Sequence, residues 1–503
     1  MSIEGTVRGP RLSKSRFISG TQCHLRLWYE THRPDLRSKP DEVLRAVFDT
    51  GHEVGRLACR LYPGGHDVDH DHRHIPEALQ ETCSVLEAGS APALFEAAFE
   101  HQGVVVRADV IERLPAGGWR LVEVKSSTRL KDVFVRDAAV QLWVLKGAGL
   151  DVRDAGVLTL ERDYVHDGAT LNLEALFRLH PVFDKAQAYL GTMGAEVSGM
   201  QRMLSRPAAP DIAPGNHCFE PYECPFHAHC TRDAILPDHG IAELPRLDAE
   251  HREELVAAGV EEIRDVPRDF PLTGLQRIVR QTIREGRAAT HGDITGALAG
   301  IETPVRYLDF ETFAPAIPRF AGTRPFDAVP FLFSVHSERH GKPLAHTDYL
   351  HESNDDPRPE LADRLIEALG SEGSVCTYSG YERRVIRELG EALPDRTGDL
   401  RSIEARLFDL LPVVRDGYYH PEFRGSFSIK AVLPVLAAGM SYGDLAISQG
   451  RTAAVRYAAA LATADPEDRR RTFEDLRAYC ARDTLALVKL RTALVNLARE
   501  SGN

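Results

Sequence analysis

The chain lacks any long apolar segment. No apolar run approaches the roughly 18 residues that a membrane-spanning helix requires. The basic residues near the start, among them Arg8 and Arg11, are not followed by the apolar stretch of a secretory signal. These absences predict a cytoplasmic protein with no membrane partner.

Cysteine is also scarce, with eight residues in a chain of 503. Cysteines so few and so scattered exclude the disulfide framework of a small secreted protein. Three of them nevertheless crowd together, at Cys218, Cys224 and Cys230. Because closely spaced thiolates are typical metal ligands, this crowding predicts a metal site.

The chain also lacks an excess of basic residues. The formal net charge is −13, with 61 Lys and Arg against 74 Asp and Glu. Since phosphate binding depends on lysine and arginine, this balance argues against a protein that coats nucleic acid without specificity. It leaves open an enzyme that acts on nucleic acid, because carboxylates that hold divalent ions make such a site locally acidic.

What the chain does have is enough length and apolar content for several domains, since 43% of its residues are hydrophobic. Its pattern divides it into three segments. Residues 1–235 form the first, which mixes strands and helices. Residues 236–300 read as short helices, with Asp248 as an N-cap, and predict a helical connector that resembles a helix-hairpin-helix. Residues 301–503 open with strands and end in a long helix, Thr472–Arg499, which predicts a mixed α/β domain.

A predicted hairpin in the first segment carries the first group of charged residues. Its strands are Val104–Arg113 and Trp119–Lys125. Glu123 and Lys125 are one valine apart, so their side chains point to the same face, and Asp109 interrupts the apolar partner strand. A buried carboxylate is costly unless it is paired or binds a metal. Two carboxylates for Mg²⁺ and an ammonium group near the attacking water are what phosphodiester hydrolysis requires.

With Gly51-His52 upstream and Gln141 downstream, this pattern resembles the PD-(D/E)XK nucleases of the RecB type, in the branch shared with CRISPR-associated exonucleases, over residues 12–232. The resemblance implies a restriction-endonuclease-like fold with Gln141 on a helix against the site. Leu145 stands one turn later, where the family often has a tyrosine. From the residues alone, the alternative is an amphipathic hairpin with a surface salt bridge. The roles that the resemblance implies are metal ligand for Asp109, Glu123 and His52, and catalytic lysine for Lys125.

The three clustered cysteines are one short of the four thiolates of a closed zinc site or a [4Fe-4S] cluster. In RecB-type nucleases with an iron-sulfur cluster, one cysteine near the N-terminus joins three after the nuclease core, and Cys23 stands at that place. The resemblance therefore implies a [4Fe-4S] cluster, although the family often spaces the first two cysteines of the trio more closely. Zinc on the same residues is the alternative, and His217, His227 or His229 could replace one thiolate. The implied ligands are Cys23, Cys218, Cys224 and Cys230. We expect the remaining cysteines to be ordinary buried residues, namely Cys59, Cys83, Cys376 and Cys480.

A second group of acidic residues lies in the last segment. Asp309 and Glu311 fall on one face of a predicted strand, where two carboxylates repel each other unless a cation lies between them. Tyr479 and Asp483 are four residues apart, hence on one side of a predicted helix. This pattern resembles the DEDD exonucleases of the RNase H-like fold, and most closely a bacterial family that fuses RecB-like and RNase H-like domains.

The DEDD resemblance implies two divalent ions, Mg²⁺ or Mn²⁺, and a tyrosine, Tyr479, that orients the attacking water. Glu382 stands where the family usually has an aspartate ligand, and Asp409 is the alternative donor. Lys430, at the start of a predicted helix, either contacts phosphate or is a solvated lysine. The implied metal ligands are Asp309, Glu311, Glu382 and Asp483.

Together the two resemblances predict a metal-dependent nuclease that hydrolyses DNA exonucleolytically, in repair, recombination or defence against foreign DNA. DNA is preferred over RNA as the nucleic-acid partner. Two alternatives remain open. One is a nucleic-acid-binding scaffold whose nuclease sites have decayed, and the other is an exonuclease that processes RNA, because none of these residues senses the 2′-hydroxyl.

Overall fold

The structure is a computed structural model that describes residues 11–71, 73–234, 237–437, 439–440 and 442–501. The chain separates into two compact units. The first unit comprises residues 1–234 and 315–327, and the second comprises 235–314 and 328–503. The predicted connector, 236–300, therefore belongs to the second unit. Within the described ranges, every helix is too short or too polar to cross a lipid bilayer.

The first unit is built around one sheet. Its strands are β1 (Leu12–Ser13), β2 (His66–Asp67), β3 (Ala93–His101), β4 (Val104–Arg113), β5 (Trp119–Lys125), β6 (Val152–Leu160) and β7 (Phe177–Pro181). Its helices are α1 (Lys14–Gln22), α2 (His24–His32), α3 (Glu42–Cys59), α4 (Ile75–Ala88), α5 (Asp132–Gly147), α6 (Leu173–Leu176), α7 (Phe183–Ala188), α8 (Leu190–Leu204) and α9 (His227–Cys230). In the described chain this sheet has seven strands in the order β2-β3-β4-β5-β6-β7, and β1 pairs with β4.

The predicted hairpin is confirmed, and its strands β4 and β5 have the predicted bounds. The two strands are antiparallel with Val110 opposite Val122, so Asp109 and Glu123 occupy adjacent positions at one end of the pair. Strand β6 then returns parallel to β5 after helix α5. Leu121 packs in the core shared with α5, and Glu123, two residues later, faces the same helix.

The second unit contains a mixed sheet and the longest described helix. Its strands are β8 (Ala289–Thr290), β9 (Val305–Phe313), β10 (Val329–Glu338), β11 (Ala345–Leu350), β12 (Val375–Thr377), β13 (Leu407–Asp409) and β14 (Tyr418–Tyr419). Its helices are α10 (Ala249–Ala257), α11 (Gly274–Glu285), α12 (Ile294–Leu298), α13 (Arg358–Leu369), α14 (Tyr381–Ala392), α15 (Thr397–Ala405), α16 (Leu410–Gly417), α17 (Ile429–Leu436), α18 (Gly450–Ala462) and α19 (Pro466–Ser501). Short 3₁₀ helices in the two units are Pro34–Leu36, Asn216–Cys218, Ile241–Glu243, Ile263–Asp265, Pro394–Arg396 and Pro421–Phe423.

The main sheet of the second unit has the order β11-β10-β9-β12-β13. Strands β9, β10 and β11 form an antiparallel meander, whereas β12 and β13 run parallel to β9. Leu308 and Phe310 pack in the core of α13 and α14, on one face of β9. Tyr307 packs with α19 on the other face. Because side chains alternate along a strand, Asp309 and Glu311 also face α19.

The N-cap prediction for the connector is confirmed as well. Helix α10 begins after Asp248, whose side chain accepts a hydrogen bond from the backbone N–H of His251 at 2.9 Å. Apolar side chains of this segment, including Leu255, Ile263 and Val279, share a core with α19. The segment therefore supports the strand that carries Asp309.

Gly425 lies very close to the backbone of Glu243, so a substitution there can test this packing. Its φ is +75°, and a Cβ there would lie 1.9 Å from the carbonyl oxygen of Glu243. We expect Gly425→Ala to lower the free energy of unfolding by at least about 1–3 kcal/mol, measured by urea denaturation. Gly398→Ala is the control, because that glycine lies in α15 with no atom within 4 Å of its added Cβ, and alanine favours a helix. Equal stability of the two variants would contradict this packing.

Candidate metal centres

Glu123 is the centre of the first cluster. Its side chain is 1% exposed and accepts hydrogen bonds from three donors. Lys14 Nζ donates to both carboxylate oxygens, at 2.9 and 3.0 Å, and Lys125 Nζ donates to Oε1 at 2.7 Å. Gln141 Nε2 donates to Oε2 at 2.6 Å. A carboxylate with this many donors is fixed in one orientation.

Asp109 lies beside this carboxylate. Its Oδ2 accepts a hydrogen bond from the backbone N–H of Val124 at 2.7 Å, and its Oδ1 is 3.8 Å from Lys14 Nζ. Burial and the neighbouring Glu123 raise the pKa of Asp109 to about 7, although Lys14 and Lys125 oppose the shift. Burial also acts to raise the pKa of Glu123, but Lys125 and Lys14 outweigh it and hold that pKa below its ordinary value. The two carboxylates thus differ in charge state, and a divalent ion would favour both as anions.

Two residues of this cluster were not predicted from the sequence. Lys14 comes from the first residue of α1, 109 positions before Glu123. Asp137 on α5 accepts a short hydrogen bond from Lys125 Nζ, and burial and Glu123 raise the pKa of Asp137. Asp137 and Gln141 are four residues apart on one helix face. That spacing was a usable signal, whereas nothing local pointed to Lys14.

The other predicted residues of the first site have different surroundings. Gln141 is fully buried, and its Oε1 has no hydrogen-bond partner in the described part of the chain. Leu145 is buried in the main core. His52 is exposed on α3, and no hydrogen bond or ion pair within the described residues joins it to Asp109 or Glu123. Hydrogen bonds and ion pairs join the other four predicted side chains in one cluster.

The four predicted cysteine ligands line a single cavity. Leu25, His217 and Phe226 also line it. Burial raises the pKa of the Cys224 thiol and of the Cys230 thiol. The cavity is lined by Cys23, Cys218, Cys224 and Cys230. Four free thiols around one pocket could together hold a group that takes thiolate from each of them.

The four thiols are not drawn together around one point. Within the described residues, the four sulfur atoms do not all lie within 4.8 Å of one another. A tetrahedral zinc with Zn–S bonds of about 2.3 Å would place its thiolates roughly 3.8 Å apart, so the sulfur atoms would have to move to bind a single zinc ion.

A second metal-ligand set lies in the second unit. The ligand atoms of Asp309, Glu311 and Cys480 all lie within 4.8 Å of one another, and no other described set of three His, Cys, Asp or Glu does so. The Cys480 sulfur is 3.6 Å from Asp309 Oδ2. We expected Cys480 to be an ordinary buried cysteine, and that expectation was incomplete because it is buried against a predicted ligand. Its position directly after Tyr479, in a helix turn that faces the site, was the available signal.

Asp483 and Glu382 complete the acidic group. Burial raises the pKa of Asp309 well above its ordinary value, and Asp483, Glu311 and Glu382 add to the shift. Burial and Asp483 raise the pKa of Glu311 to about 8, with Lys430 opposing. Burial raises the pKa of Asp483 as well. Neighbouring carboxyl groups raise each other's pKa in this way when too little positive charge lies between them.

The carboxylates of Glu382 and Asp409 differ in their hydrogen-bond partners. Asp409 is the N-cap of α16, and its Oδ1 accepts hydrogen bonds from the backbone N–H groups of Ser379 and Leu411 at 2.8 and 2.9 Å. Glu382 is 4% exposed, and its Oε2 has no hydrogen-bond partner among the described residues. Burial raises the pKa of Glu382 to about 8. The unpartnered buried oxygen suits Glu382 as the fourth carboxylate of the group, whereas one oxygen of Asp409 is already used in capping α16.

Two tyrosines and one lysine border the acidic group. Tyr442, which was not predicted, donates a hydrogen bond from its hydroxyl to Asp483 Oδ1 at 2.6 Å. Lys430 Nζ donates to the Tyr479 hydroxyl at 3.2 Å and also to the Ser448 carbonyl. It lies 5.0 and 5.2 Å from the ring centroids of Tyr442 and Tyr479. Lys430 is exposed, as the interpretation of a solvated lysine expects, and its ammonium group also contacts both tyrosines.

A family model described as a domain of unknown function, DUF2779, matches residues 306–428. The matched segment includes Asp309, Glu311 and Glu382 but ends before Tyr479 and Asp483. No curated protein matches the chain.

The raised pKa of Glu382 predicts a pH-dependent stability. In protein without divalent ions, folded Glu382 keeps its proton up to about pH 8, whereas the unfolded chain loses it near 4.5. Stability is therefore greatest below the unfolded pKa and falls as pH rises toward the folded pKa. We expect Glu382→Gln, which carries no titrating proton, to gain at least about 1 kcal/mol over wild type at about pH 8, and nothing at about pH 4.

Urea denaturation in a chelating buffer across this range measures the difference. Glu391→Gln is the matched control, because Glu391 is an exposed residue of the same helix. Parallel curves for wild type and Glu382→Gln would mean that Glu382 is ionised in the folded protein.

Proposed function

We propose that this chain is a metal-dependent nuclease that hydrolyses phosphodiester bonds of DNA exonucleolytically, with one hydrolytic centre in each unit. One observation carries the proposal. Glu311 and Glu382 are buried and Asp309 and Asp483 half-buried in one acidic group, and Lys430 is a cation that partly offsets it. Four carboxylates with so little positive charge are what a pair of divalent ions would neutralise.

The second unit supports a DEDD-type RNase H-like centre. Its antiparallel meander is followed by two parallel strands, with Asp309 and Glu311 on the first strand and Asp483 on the last helix. Mg²⁺ or Mn²⁺ held by these carboxylates would activate water and stabilise the leaving oxygen. The Tyr479 hydroxyl accepts a hydrogen bond from Lys430 and donates one to the Asp483 carboxylate, which holds it beside the proposed ligands. Tyr442 fixes the Asp483 carboxylate.

The first unit supports a PD-(D/E)XK centre. Its three-strand meander, helix α5 and parallel strand β6 place Asp109 and Glu123 as oxygen ligands. Lys125 is held between Glu123 and Asp137, which fixes its ammonium group for orienting a water molecule. Gln141 holds the second oxygen of Glu123 from α5.

The cysteine cavity supports a [4Fe-4S] cluster with a structural role. Cys23 follows directly after α1, and Lys14 is the first residue of that helix. Gln22 Nε2 donates hydrogen bonds to the carbonyls of His217 and Tyr222, both at 2.7 Å. The cluster would therefore hold one end of α1 while the other end contacts Glu123. It stabilises the first centre without taking part in hydrolysis.

A digest of labelled oligonucleotides tests the nuclease proposal. Single-stranded DNA, duplex DNA and RNA would each be incubated with wild type, Lys125→Ala and Asp309→Ala in Mg²⁺ or Mn²⁺. We expect DNA to be degraded from its ends, and each variant to lose about 100-fold or more of the activity of its own unit. Lys185→Ala, an exposed lysine of α7, is the control. Binding without degradation would favour the scaffold alternative, and degradation of RNA alone would favour RNA processing.

Metal analysis tests the cluster. We expect wild type purified without oxygen to be brown and to contain about four iron atoms per chain. Cys224→Ser should lose most of the iron and the colour, because one thiolate of the closed set is gone. Cys83→Ser, outside the cavity, should keep both. A colourless protein with stoichiometric zinc would overturn the iron-sulfur assignment.

A further inference from the structure

Lys14 has a contact pattern that sets it apart from Lys125. Its ammonium group donates to both oxygens of Glu123, at 2.9 and 3.0 Å, and lies 3.8 Å from Asp109 Oδ1. Lys125 has a partner of its own in Asp137. The close partners of Lys14 are thus the two carboxylates that would bind a metal ion in the proposed centre.

The Lys14 ammonium group and a divalent ion would compete for the same carboxylate oxygens of Asp109 and Glu123. A bound Mg²⁺ lies about 2.1 Å from each oxygen ligand. Lys14 Nζ is within 4 Å of oxygens on both carboxylates, so an ion that contacted both would lie close to it. Like charges at about 4 Å in a partly buried site repel strongly.

The net charge of this cluster also favours displacement of Lys14 by a divalent ion. When ionised, Asp109, Glu123 and Asp137 carry three negative charges against two positive charges on Lys14 and Lys125. A divalent ion would reverse this excess and leave the cluster with one net positive charge. A phosphodiester group carries one negative charge and would restore neutrality while giving Lys14 a new partner.

We infer that Lys14 occupies the metal-binding position of the first centre in ion-free protein, and that it transfers to the substrate phosphate when a divalent ion binds. This inference rests on the proposed function of that centre. Lys14 then acts as a positioning residue that couples the two binding events. The ion binds weakly alone and more tightly when a phosphate is present, and by linkage the phosphate binds more tightly when the ion is present.

Mn²⁺ titration without turnover tests this coupling. Free Mn²⁺ would be followed by electron paramagnetic resonance in a chain that carries Asp309→Asn, which weakens binding at the second centre. In this background we expect Lys14→Met to tighten Mn²⁺ binding by about tenfold or more, because the competing ammonium group is gone. Thymidine monophosphate should tighten Mn²⁺ binding severalfold with Lys14 present and much less in Lys14→Met.

Three further variants make the result specific. Glu123→Gln should abolish the measured binding and so identifies the site. Lys14→Arg, which keeps the charge, should not tighten Mn²⁺ binding. Lys185→Met replaces an exposed lysine of the same unit and should behave as wild type. Unchanged iron content and circular dichroism would show that Lys14→Met is folded.

The outcomes separate this inference from the proposed function. Binding that depends on Glu123 but is equal or weaker in Lys14→Met would overturn the role of Lys14 and leave the metal centre standing. The absence of any Glu123-dependent binding, in wild type and Lys14→Met alike, would overturn the first metal centre and this inference with it.

Discussion

The structure depends on how buried carboxylates obtain positive charge. Burying a carboxylate is costly unless a cation or several hydrogen bonds replace the lost water. Glu123 meets this demand with two lysines and a glutamine, and its pKa stays low. Asp309 and Glu311 meet it only in part, and their pKa values rise.

The two units therefore reach different states without metal. In the first, lysines neutralise the cluster, so a divalent ion must displace or repel an existing cation. In the second, the carboxyl groups retain protons, so a divalent ion must displace protons instead. Metal affinity would respond to pH in both units, because the pKa of Asp109 is also raised, to about 7, and in the first unit it would respond to the lysines as well.

Much of the fold was predictable because its signals are local. Alternating apolar residues and a short glycine turn define the hairpin that carries Asp109 and Glu123, and an Asp-x-Glu strand defines β9. Strand β3 was not predicted, since its alanine and glutamate residues favour a helix and only burial against β4 makes it a strand. Lys14 and Tyr442 were missed because their contacts join distant positions, which no periodicity reveals.

The most direct test is a crystal structure of the Mn²⁺-soaked protein, with the ions located by anomalous scattering. The account predicts peaks beside Asp309, Glu311 and Asp483 in the second unit, and a peak between Asp109 and Glu123 in the first. In the first unit, Lys14 should have left Glu123. Carboxylate groups that remain as they are in the ion-free structure, with no anomalous peak at either cluster, would contradict the claim that these clusters exist to bind divalent ions.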